Sequence, residues 1–324
     1  TQTTDDGAQI RNNFADTAHG GGFWNSGGTV NITGSDSAAG AVDITHNWAG
    51  DPTGTSNSDL RGGGFWNIDT GTTNLTDVRI ENNIAHRHGG GFYNSGGGTV
   101  TIDSSNAANF KSTISNNTLK DTGDGDGGGF YSTSNNTTTT LTDVVIDSNA
   151  ATDEGAGFYV SSNGSLVDLT RVDSPNNMSQ DSGGGFYNAS NLSIVQMSDV
   201  LIDNNRAATE HGGGFRNNGI ITGNLVTISN NKAGDSVASN QHRVGGGIYN
   251  PTGNITLEDV TIVNNEAKSR GGGIFNSGGG IITITSNTIR SSISGNVTLF
   301  DGDSSRGNGG GIYQETAAST INLT

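Results

Sequence analysis

The sequence predicts an all-β protein, a single right-handed parallel β-helix of about ten three-strand turns spanning residues 1–324. Three observations carry the prediction. A motif of three glycines and an aromatic or isoleucine, as in GGGFWN at Gly20 to Asn25, recurs ten times. Its closest spacings are 26 to 29 residues, too short for a four-stranded propeller blade but right for one turn of a solenoid. Finally, 53 glycines among 324 residues, with abundant Asn, Thr and Ser, oppose helix and favour strands and turns.

Within a repeat, three short segments alternate in polarity. Val260 to Ile262, Gly273 to Asn276 and Ile282 to Ile284 form a typical set and read as the three strands of one turn. Right-handed coiling follows the crossover preference of parallel strands, and ten turns at about 4.8 Å each make a rod about 48 Å long.

Strand parity separates the two positions after the glycines. The first holds only Phe or Ile (Phe23, Phe65, Phe92, Phe130, Phe158, Phe186, Phe215, Ile248, Ile274, Ile312) and is expected to point inward. The second holds Trp24, Trp66, Tyr93, Tyr131, Tyr159, Tyr187, Arg216, Tyr249, Phe275 and Tyr313, and its tolerance of Arg216 predicts an outward stripe facing water. Such a stripe would take a partner or stack on sugar rings, or its rings would stack on one another to stiffen the coil. An Asn follows in seven of the ten units and is expected at a bend with left-handed backbone. The glycines themselves would allow a tight corner and leave room for the phenylalanine stack.

A structural amide ladder is expected three residues beyond the inward isoleucine of the first strand. It comprises Asn13, Asn47, Asn83, Asn117, Asn149, Asn205, Asn231, Asn265 and Asn296, with Asn176 arriving one residue late after Pro175.

The pattern DVTIVNNEAKSRGGGIFNSGGGIITIT, Asp259 to Thr285, resembles the repeat of bacterial and archaeal right-handed β-helix surface proteins of the pectin-lyase-like superfamily. It is also similar to the repeats of chlamydial polymorphic outer-membrane proteins and related adhesins. The chain departs from the latter in its third glycine and in having no recognisable barrel or anchor. The resemblance covers essentially the whole chain and implies the fold; function does not follow, because the shared residues build the coil.

Composition narrows the functional classes. A formal charge of −16 opposes nucleic-acid binding, and the absence of cysteine excludes disulfides and thiolate metal sites. No apolar run is long enough for a membrane span, and the first residue, a threonine, suggests a processed chain at the cell surface or outside it. Twelve Asn-X-Ser/Thr sites, among them Asn31, Asn74, Asn163, Asn254 and Asn322, would admit N-glycans.

The long insertions and the carboxylates Asp51, Asp59, Asp121, Asp124, Asp126, Asp153, Glu154, Asp181, Glu210, Asp235, Asp301 and Asp303 gather at the corner before the glycines. No cofactor is required. In DTGDGDGGG, Asp121, Asp124 and Asp126 are spaced as in hard-cation loops and would hold Ca²⁺, while a solvated acidic loop is the alternative. No paired carboxylates stand out locally for glycoside hydrolysis; Arg216 with Glu210 and His211 is the best enzyme-like cluster, and the chain is expected not to be an enzyme. His19, His88 and His211 stand at a variable surface position before the glycines and are not expected to bind a transition metal. Ice binding would need a flat threonine array, and stretches such as Thr137 to Thr140 do not read as repeated in phase.

No caps are evident. The chain opens on a first strand, Ala8 to Ile10, and closes on a third, Ile321 to Leu323, so that INLT joined to TQTTDDGAQIRNN resembles the internal junction TNLTDVRIENN. Ala8, Ile10, Ile321 and Leu323 would then form an end-to-end interface. The sequence therefore predicts an extracellular structural subunit of a head-to-tail filament or surface matrix whose partner is the chain itself. The alternative is a surface adhesin or carbohydrate-binding module that binds glycans, with a polysaccharide lyase or hydrolase behind both.

Overall fold

The computed structural model describes residues 7–50, 59–121, 123–234, 243–299 and 307–324. These form strands and turns without a helix, arranged as three parallel sheets wound about one core, which is the β-helix expected. One turn runs Phe65–Ile68, Thr72–Thr76, Val78–Glu81 and Ile84–Ala85. The first strand belongs to a ten-stranded aromatic sheet, and the two-residue fourth, not foreseen from sequence, to a ten-stranded short sheet. The second and third belong to one 18-stranded long sheet, because they fuse into single strands at Ile194–Asp203 and Ile220–Ser229.

Residue choice explains the layers. The phenylalanines after the glycines stack along the axis with centroids 4.5 to 4.9 Å apart. From Phe65 to Phe215 they are fully buried, each worth about 1.5–3 kcal/mol. Leu75, Val78 and Ile80 face them from the long sheet. The short sheet turns Ala49, Ala85, Ala151, Ala207, Ala233 and Ala267 inward, and Leu119 takes the same position in its turn.

The glycines answer to backbone and not to the phenylalanine rings. The first of each triplet, such as Gly62 at φ +69°, is left-handed. A Cβ on the third, Gly64, would lie 2.5 Å from the Gly91 carbonyl oxygen and 3.1 Å from Asn83 Nδ2.

The amide ladder forms with one change of member. Asn47 Nδ2 donates to the Ile10 carbonyl (2.8 Å) and to Asn83 Oδ1 (3.1 Å), and the same oxygen accepts the Asn47 backbone N–H (2.9 Å). The pattern repeats through Asn117 and Asn149 to Asn177, not Asn176, and on through Asn205, Asn231 and Asn265 to Asn296. Asn176 is the left-handed corner residue, φ +58°, the place filled elsewhere by Asn82, Asn116 and Asn204. The ladder amide is the residue after that corner, so Pro175 introduces no offset.

A second ladder occupies the site where a bend was expected. Asn25, Asn67 and Asn94 link by 2.9 Å bonds, as do Asn188, Asn217, Asn250 and Asn276 at 2.9 to 3.0 Å. None of these seven is left-handed; they are the third residues of the aromatic strands, with their amides turned in.

Candidate functional site

The aromatic stripe lies on the outer side of its sheet but does not face water. Trp66, Tyr93, Tyr131, Tyr187 and Phe275 are buried, Tyr159, Tyr249 and Tyr313 are half-buried, and only Trp24, at 54% exposure, is open. The cover comes from the residue just before the glycines, which leans over the ring of the next turn. His19 sits 4.0 Å from the Trp66 ring, Arg61 4.9 Å from Tyr93, His88 4.6 Å from Tyr131, His211 4.7 Å from Tyr249 and Arg270 5.2 Å from Tyr313. The rings also stack on one another, Tyr93 on Tyr131 at 5.1 Å and Tyr131 on Tyr159 at 5.0 Å. Arg61 Nη1 donates to the Tyr93 hydroxyl at 2.9 Å, and burial pushes the Tyr93 and Tyr187 phenols up to about 12. The stripe is thus an internal seam of the coil, and the histidine position is part of its lid, not a variable surface.

Beside the seam the middle turns gather carboxylates in a region of low solvent access. Burial, reinforced by Asp153 and Glu154, pushes Asp126 up to about 8. Burial and a shared hydrogen bond with Asp181 push Asp153 up to about 7, and burial takes Glu154 to about 7. His88, 3.7 Å from Asp126, is driven down to about 3 by burial and by Arg61 and Arg87, so the two meet near neutrality as uncharged partners. Arg216 fills the gap in the aromatic stripe, 4.6 Å from the Tyr187 ring and 5.5 Å from Tyr249. Its Nη1 donates to Glu154 Oε1 (3.1 Å) and Ser182 Oγ (3.3 Å), and Ser182 donates to Glu210 Oε2 (3.1 Å). The expected grouping of Arg216 with Glu210 is therefore indirect, and Glu154, two turns away, is its ion-pair partner. Sequence distance hid this contact; the signal was the fixed place of each beside a triplet, Glu154 just before Gly155 and Arg216 two residues after Gly214.

The proposed cation loop is arranged differently from a ligand cage. Arg87 reaches Asp124 at 2.8 Å and lies 3.7 Å from Asp59 and 3.9 Å from Asp121, while Asp126 turns toward His88. Among the described residues no three carboxylates or imidazoles converge on a metal position. Asp51, Asp235, Asp301 and Asp303 lie outside the described residues.

The first half of the long sheet presents three outward columns, and register shows that its threonines are in phase. Thr29, Thr72, Thr99 and Thr138 align in the first column, Asn31, Asn74, Thr101 and Thr140 in the second. Thr33 and Thr76 align in the third, as do Thr142 and Thr170. Of Thr137 to Thr140, the second and fourth point out, while Thr139 turns in to accept from Asn94 Nδ2. The expectation of an out-of-phase array is thus corrected. Candidate glycan sites Asn31, Asn74, Asn254 and Asn322 share this face, whereas Asn163 lies in an exposed turn.

Among the described residues, the outermost turn at each end is only partly buried. The first strand is Gln9–Arg11, so Ile10 is its inward residue and Ala8 precedes it, exposed. Ile10, Phe23 and Ile32 pack against the core from one side only, and Phe14 is 49% exposed. At the other end Ile284, Ile293, Ile312 and Leu323 line an open hollow of about 610 Å³; Ile321 packs on the core and Leu323 is exposed.

Compared with protein-family models, with curated proteins and with solved structures, the chain matches none.

Proposed function

We propose that the protein is a structural rod, a stacked β-helix that serves as building material of an extracellular filament or surface matrix. The observation that carries this reading is the continuity of its ladders. The inner column of Phe23 to Phe215, continued by Ile248, Ile274 and Ile312, the asparagine ladder from Asn13 to Asn296 and the outer column from Trp24 to Tyr313, interrupted at Arg216, pass in register from turn to turn. Side chains that would otherwise form a binding groove are spent on stiffening the coil: the aromatics lie under a lid, and Arg216 is held in an ion pair.

An apolar β-helix face with unpaired backbone is costly in water and is satisfied by a further turn in the same register. In this reading the columns ending at Ile10 and Ile321 meet those of an adjoining coil, which makes the association heterologous and open-ended.

Sedimentation velocity over a range of concentrations tests the reading. The native chain should lengthen with concentration, and Ile10→Asp with Ile321→Asp should stop the growth while leaving the β-sheet circular dichroism unchanged. A native chain that stays monomeric at all concentrations contradicts it.

A further inference from the structure

Threonine is a good strand former anywhere, so its abundance alone says little. The long sheet supplies its own control. On its first half, fifteen of the twenty-nine outward positions in the three aligned columns are threonine and three carry charge. On its second half, which has the same strand geometry, four of twenty outward positions are threonine and seven are charged. Strand propensity would enrich both halves alike. The bias follows the face.

The threonines form a two-dimensional lattice. Along the rod the repeat is about 4.8 Å, the spacing of hydrogen-bonded strands, and across it about 6.7 Å, two residues of a strand. These periods lie close to repeat distances within faces of crystalline ice. Each threonine offers a methyl and a hydroxyl on a β-branched side chain with few χ1 choices, so that the array is ordered before it meets a ligand. Its first four turns carry a single carboxylate, Asp103, in a chain of net charge −16, so that a nearly neutral face confronts an uncharged lattice. This neutral part covers on the order of 250 Å², well short of the roughly 800 Å² per partner of a stable protein interface. A solid surface needs no such depth.

From these observations we infer that the outer threonine face of the long sheet binds ice. The inference does not depend on the structural-rod reading, since a single coil carries the whole face.

The test uses the purified, unglycosylated chain, measuring its uptake into slowly grown polycrystalline ice and the shape of single ice crystals in its presence. The native chain should enter the ice and facet the crystals. Thr101→Lys with Thr140→Lys should be excluded from the ice, while Thr227→Lys with Thr261→Lys, on the other half of the same sheet, should behave as native. Equal heat denaturation of all three shows that each is folded. A native chain excluded from ice overturns the inference, as does uptake that survives Thr101→Lys with Thr140→Lys. Sedimentation of the same samples separates a different role: self-association abolished by those two lysines, without ice uptake by the native chain, would make the face a lateral contact between copies.

Discussion

Arg216 Nη1 lies 3.1 Å from Glu154 Oε1, across 62 residues of sequence and two turns of the coil. The contact shows how the seam is held: the aromatic column is broken at one turn, and a guanidinium fills the break by stacking between Tyr187 and Tyr249 and tying down a carboxylate.

Replacing Arg216 with Met keeps much of the stacking but leaves Glu154 without its cation. Loss of that charge-assisted bond should cost about 1–3 kcal/mol in chemical denaturation. Adding Glu154→Gln should recover part of the loss, since the orphaned charge is then gone. Equal stability of Arg216→Met and the native chain would remove the pair from the account.

The acidic row dictates a pH dependence. Asp126, at about 8, and Asp153 and Glu154, at about 7, hold protons in the folded chain that the unfolded chain releases near pH 4. Their stabilisation is full below about pH 4 and lost as pH rises through 7 and 8. His88, at about 3, acts oppositely, losing its contribution as pH falls from about 6.5 toward 3. The melting temperature should therefore fall between pH 6 and pH 8.5, and Asp126→Asn should flatten that fall. A melting temperature that rises over this interval would contradict the burial of these carboxyls.

Neighbouring asparagines should differ sharply. Asn117→Ala removes amide bonds to Ile80 and Asn149 and the acceptor for the Asn83 N–H, all buried, and should cost about 2–4 kcal/mol. Asn116→Gly, at φ +54°, should cost less than 1 kcal/mol, because glycine accepts left-handed geometry. Denaturant titration of the two variants gives the comparison directly.

Within the triplet the second position yields at one turn only, since elsewhere, as at Gly63, a Cβ would lie 2.2 Å from a backbone oxygen. Gly155-Ala156-Gly157 already carries alanine there, fully buried and packed against Ala151 and Leu119. Gly64→Ala, at the third position, would set a Cβ 2.5 Å from a backbone oxygen and should yield little folded protein, whereas Ala156→Gly should fold. Comparable soluble yields would show that the third position is not constrained by the next turn.

How much could be read from sequence followed from how rigidly each feature is spaced. The Phe and Asn columns were legible because each sits at a constant offset from a corner or a triplet. Asn177 was displaced by one in the reading because its turn carries the buried Ser174 where other turns carry the inward isoleucine from which the offset is counted. The lid over the aromatics was hidden because each cover comes from the preceding turn, as Arg61 covers Tyr93. The phase of the threonines was hidden by turns of unequal length: Thr29 follows its phenylalanine Phe23 by six residues, Thr138 follows Phe130 by eight, yet both stand in one column. Register, not spacing, aligns them.

The central claim is that the ladders of one coil continue into the next. Cryo-electron microscopy of the chain at high concentration tests it most directly. The account predicts unbranched fibres with a subunit repeat of about 48 Å and strand spacing of about 4.8 Å running without interruption through the junction. Separate rods of about 48 Å, with free ends at every concentration, would contradict it.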